Sequence, residues 1–135
     1  MTGETDLDRL IASMAAELVE DVFVFATFPD RLIPVGLSPR MVFQEAEGAT
    51  AILLKAEADD HGIASEFPCR MITLNIHSSL QAVGFMARIT TALARLGMGV
   101  NPVSGYFHDH LFVPDGREQE AMEELRSMAA AKTAS

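Results

Sequence analysis

The stretch Met71-Ile-Thr-Leu-Asn-Ile76, His77-Ser-Ser79, then Leu80-Gln-Ala-Val-Gly-Phe-Met-Ala-Arg-Ile-Thr-Thr-Ala-Leu-Ala-Arg-Leu-Gly97 decides the fold. Its first part alternates, placing Ile72, Leu74 and Ile76 on one side, which is a strand pattern. His77-Ser-Ser79 interrupts the alternation and a helical period follows. Ala82, Phe85, Met86, Ile89, Leu93 and Leu96 share one narrow face of an α-helix, and Gly97-Met-Gly99 ends it. Strands over Val100 to Tyr106 and His110 to Val113 come next, then Pro114 and another helix. Strand, helix, strand, strand, helix on this scale is most of a ferredoxin-like split βαβ unit.

Downstream, Asp115-Gly-Arg-Glu118 has the spacing of a capping box. The helix it opens carries Ala121, Met122, Leu125, Met128 and Ala129 on one side, and Lys132 to Ser135 are expected to fray. Upstream, Thr5-Asp6-Leu7-Asp8 reads as a helix start. Leu7, Leu10, Ile11, Met14 and Leu18 predict an amphipathic helix over residues 6–18. Asp21 to Phe28 is a strand apolar on both faces, an inner strand covered on both sides or one covered by a partner chain. Pro34, Gly36 and Pro39 mark a loop. Met41 to Ala46 and Thr50 to Ala56 predict a hairpin about Glu47-Gly48. Glu57, Asp59, Asp60 and His61-Gly62 then read as a solvated loop and the division of the chain. An N-terminal αβββ half (1–62) is thus expected beside a C-terminal βαββα unit (63–135), together one compact α+β domain with a shared core.

Composition narrows the functions. The 135 residues carry a net charge of −9, which disfavours nonspecific binding to nucleic acid or to an anionic membrane. One cysteine, Cys69, excludes an intrachain disulfide framework and fits a reduced, cytoplasmic setting. The acidic start has no signal-peptide pattern, and no apolar run approaches the roughly 20 residues of a membrane span.

The segment Leu80 to Gly97, with Gly84 in its first turn, resembles the first helix of an ACT domain. The run Gly105-Tyr-Phe-His-Asp-His-Leu-Phe-Val-Pro114 resembles a small bacterial branch of ACT-like proteins, and Glu47-Gly-Ala-Thr50 matches a hairpin in the N-terminal half of that branch. Pro102 departs from the pattern, and because proline lacks a ladder donor its strand is expected at an edge or bulged. The resemblance implies a regulatory module that binds an amino acid or similar metabolite between two copies; with no enzyme in this sequence, a free-standing sensor or a subunit acting on a partner is expected.

The residues fit such a site at the loop 77–85, near a subunit or half-domain interface. Ser78-Ser79 would leave the first helix amides pointing outward, where the helix dipole favours a carboxylate. Gly84 would allow close approach, with Val83, Phe85 and His77 around it. Asn101, Val103 and Ser104 on the following strand, with Asp109 and His110, would complete the ligand-binding set. The plainer reading makes the serines caps and Gly84 a packing residue sharing a small-residue face with Ala87, Thr91 and Ala94, flanked by solvated Arg88 and Arg95.

His108-Asp109-His110 also invites a metal reading: the histidines would share one side of a strand, with His77 a third ligand and His61 or Cys69 a fourth. Without paired-cysteine spacing, a structural role is favoured, Asp109 bonding turn amides. No phosphate loop, nucleophile elbow or Cys-x-x-Cys is present, so neither catalysis nor a cofactor is expected. The two-faced strand, the small-residue helix face and the Pro102 edge predict a homodimer or larger assembly. The alternative is a scaffold that holds a partner protein and takes no small ligand.

Overall fold

The computed structural model describes residues 6–76 and 83–134, with side chains to 131. Contacts divide the chain into two units, Met1–Glu20 with Arg70–Ser135, and Asp21–Cys69. The elements run α1 (Leu7–Ser13), β1 (Ala15–Phe28), β2 (Met41–Glu45), β3 (Gly48–Leu54), α2 (Lys55–Asp60), β4 (Glu66–Asn75), α3 (Phe85–Ala94), β5 (Asn101–Ser104), β6 (Asp109–Pro114) and α4 (Glu118–Ala134). This is the expected α+β string with a βαββα C-terminal part, plus one helix, α2. Both β1 and β4 contribute residues to each unit.

In the first unit the strands lie in the order β1-β4-β6-β5. The core gathers Ile72 and Leu74 of β4, Leu111 and Val113 of β6, Leu10 and Ile11 of α1, Ile89 and Leu93 of α3, and Met122 and Leu125 of α4. Each is essentially removed from water, worth about 1.5–3 kcal/mol for a large aliphatic side chain. The helical period is realised in α3, whose buried residues are Phe85, Ile89 and Leu93. Ala82 lies outside the described residues. Gly97, at φ +77°, donates to the Ala94 carbonyl at 2.9 Å and ends the turn after α3. β5 pairs antiparallel with β6 alone, Pro102 opposite Leu111, so proline sits on an edge strand where its missing donor costs least.

The expected helix over 6–18 is corrected: α1 stops at Ser13 and β1 begins at Ala15. The Ser13 hydroxyl donates to the Arg9 carbonyl at 2.8 Å, and Met14 is already extended at φ −65°, ψ 126°. A back-bonding serine weakens a helix, and the long strand supplies a ladder instead. Ala16 and Leu18 still pack on the core; Leu18 satisfies a helical and a strand period at once. The final helix begins at Glu118 rather than at Asp115, and Glu118 accepts from the Gly116 amide at 2.7 Å. It runs to Ala134.

In the second unit the order is β2-β3-β1-β4. The expected hairpin is present, with Glu45 opposite Gly48 and a two-residue Ala46-Glu47 loop. Both faces of β1 are covered, Phe23 and Val24 being at most 1% exposed. Val24, Ala26 and Phe28 pack on Ala49, Ala51, Leu53 and Ala58, and the Arg40 guanidinium lies 5.0 Å above the Phe23 ring. One cluster of buried residues lies in each unit. The acidic stretch expected as a loop is α2. Ala58 is fully buried, Lys55 and Asp59 pair at 2.7 Å, and Gly62 at φ +64° caps it while Ile63 donates to the Ala58 carbonyl, a Schellman ending.

Candidate functional site

The entry to α3 is built around Gly84, the N-cap, which is left-handed at φ +88°, ψ −9°. An N-cap is ordinarily extended and donates a side-chain acceptor to the first amides; glycine supplies neither. Its carbonyl accepts the Arg88 amide at 3.0 Å, starting the ladder, while the amides of Phe85, Met86 and Ala87 receive nothing from a cap side chain. A Cβ at position 84 would meet only Leu7 Cδ2 at 3.8 Å, so the glycine is required by its backbone conformation rather than by crowding. Val83 is 86% exposed, whereas the Phe85 ring belongs to the core. His77, Ser78 and Ser79 lie outside the described residues.

The second predicted group comes together at one end of the β5–β6 ladder. Val103 faces His110 and Ser104 faces Asp109, while Asn101 is at the other end opposite Phe112. The Ser104 hydroxyl donates to Asp109 Oδ1 at 2.6 Å, and the Gly105 amide donates to the His108 carbonyl at 2.8 Å. Asp109 thus clasps a hydroxyl across the ladder, not the turn amides expected of it. His110 Nδ1 and the Thr73 hydroxyl of β4 are 3.0 Å apart, fixing the ring on the strand face. His108 precedes β6, and its ring centroid is 6.4 Å from that of His110. Among the described residues no group of three or more His, Cys, Asp or Glu side chains is placed to hold a metal ion; His77 is not among them. At the tip Tyr106 and Phe107 stand 82% and 77% exposed, their rings edge-on at 5.0 Å.

The sequence did not reveal a cleft of about 540 Å³ in the first unit, bounded by α1, α3 and α4. Gly84, Ala87 and Thr91 of the small-residue face open onto it with Arg88 and Arg95, while Leu7, Ile11 and Met128 supply apolar walls. The signal for it is the small-residue spacing itself, which in the sequence equally describes a contact surface for another element. Ala94 is not in the lining.

Sequence models described as ACT domain match residues 2–70 and 66–127. A Vibrio cholerae protein of unknown function, described as a possible transport protein, is 36% identical over 93% of this chain and 97% of its own, with a TM-score of 0.82. An Agobacterium tumefaciens protein is 13% identical over 86% of this chain and 89% of its own, with a TM-score of 0.73. The ligand-free regulatory subunit of aspartate kinase from Thermus thermophilus is 13% identical over 84% of this chain and 95% of its own, with a TM-score of 0.61. The last two likenesses are ones of fold. No curated protein matches, and no helix among the described residues is long and apolar enough to cross a membrane.

Proposed function

Since this chain belongs to the ACT-domain family, we propose that it is a non-catalytic regulatory module binding a small metabolite of the amino-acid type at the loop 77–85. The observation that carries this reading is the left-handed glycine cap of α3. It leaves the first helix amides without a capping side chain, at the end of the dipole that favours a carboxylate. The ligand's ammonium group would then look to Asn101 or to Ser104, exposed at opposite ends of β5. Membership of the bacterial ACT-like branch rests on the 105–114 run, and a cytoplasmic location on the lone, buried Cys69 and the acidic charge.

The reading includes a homodimer with the ligand site near the subunit interface, supported by the exposed edge strand β2, where Val42 and Phe43 are 43% and 62% exposed. The test is a thermal-shift panel of the standard amino acids, run alongside sedimentation. A ligand at 100 times its dissociation constant adds about 2.7 kcal/mol to the native state, a readily seen shift. No shift at millimolar ligand, or a monomer at micromolar protein, counts against the sensing dimer. The first result would turn the assignment to a scaffold, the second reading, which the exposed Tyr106–Phe107 pair favours.

A further inference from the structure

We propose that the cleft between α1, α3 and α4 is a second ligand site, taking a small monoanionic amphiphile such as an aliphatic carboxylate. Three observations carry this. First, the volume of about 540 Å³ falls in the range of small-molecule sites, about 300–1,000 Å³.

Second, the wall formed by α3 is cationic. Arg88, Thr91 and Arg95 all line the cleft at spacings i, i+3 and i+7, one face of the helix. The two arginine Cα atoms are about 10 Å apart along the axis, with Thr91 between them, so two guanidinium groups and a hydroxyl can converge on one anion. Among the described residues Arg70, Arg117 and Lys55 have carboxylate partners at 3.1 Å or less, while Arg88 and Arg95 show none. Arg31, Arg40 and Arg126 also show no carboxylate partner, so it is the placement of Arg88 and Arg95 together on one cleft wall that points to an anion. Glu124 is the one acid in the lining and lies on α4, so the lining sums to one positive charge and matches a single negative one.

Third, the remainder is apolar: Leu7 and Ile11 from α1 and Met128 from α4, where an aliphatic tail loses contact with water and the flexible thioether adapts to its shape. This site shares Gly84 with the loop 77–85, but its arginines and apolar walls do not depend on that reading.

The experiment is calorimetric titration of the full chain with decanoate, below its aggregation concentration, against decanol and decylammonium. Saturable binding of decanoate is expected, tighter than either comparison compound and weakening as salt rises. Arg88→Gln with Arg95→Gln is expected to weaken it at least about fivefold, with decanol binding unmoved. Ala87→Leu fills the cleft while leaving both charges and is expected to weaken both compounds; circular dichroism checks that each variant is folded. Absence of saturable decanoate binding overturns the site, and so does decanoate affinity unchanged in the double variant. An amino-acid thermal shift that persists in these variants leaves the loop site standing whatever the cleft does.

Discussion

Gly48 sits at φ +147°, and an added Cβ would fall 2.7 Å from the Phe28 carbonyl oxygen and 2.8 Å from Pro29 Cα. Both are backbone atoms that cannot swing aside. Gly62, at φ +64°, has nothing within 4 Å of the same imagined atom. Gly48→Ala is therefore expected to destabilise by about 1–3 kcal/mol, and Gly62→Ala by about 1–2 kcal/mol from the left-handed conformation alone. Urea denaturation midpoints compare them, and a Gly48→Ala chain as stable as the parent would contradict the close approach. The hairpin was legible because Glu47-Gly48 marks a turn, although its loop is Ala46-Glu47 and Gly48 already pairs with Glu45. Phe85 shows the opposite. As a neighbour of Gly84 it looked like a ligand contact, yet it also occupies a core position of the helical period, and burial decided its direction.

At the scale of elements, α1 has seven residues, too few to hold a helix alone in water. Its stability rests on its cap and its packing. The Asp6 carboxylate accepts the Arg9 amide at 3.1 Å, so Asp6→Ala is expected to cost about 1 kcal/mol. Ile89, fully buried among α3 and its neighbours, should cost about 2–5 kcal/mol as Ile89→Ala. Equilibrium unfolding of both variants checks the ranking; a larger loss at Asp6 than at Ile89 would overturn it. The strands and α3 could be read in advance because their apolar periods are unambiguous. The boundary at Ser13–Ala15 and the short helix α2 could not. Leu18 fits two periods, and an acidic run of six residues turns helical only because Ala58 finds a buried place against β1 and β3.

For the whole molecule, nineteen acids against ten bases put net self-repulsion into the native state. Raising ionic strength from about 0.01 to 0.15 M shortens the Debye length from about 30 to 8 Å, so the melting temperature is expected to rise over that interval. A scanning-calorimetry trace that moves down with added sodium chloride would show that specific ion pairs, such as the half-buried Arg70–Glu118 contact at 3.1 Å, outweigh the repulsion. By itself the sequence determined the α+β class, the order of nearly all the elements, that the Pro102 strand lies at an edge or is bulged, and the family, since each of these is written in local period, turn chemistry or a continuous run of residues. Only the tertiary structure decided where α1 yields to β1, that Asp109 clasps Ser104, and that Arg88, Thr91 and Arg95 stand over an apolar cleft. These features depend on residues far apart in the chain competing for the same buried space, and no local pattern records which of them wins.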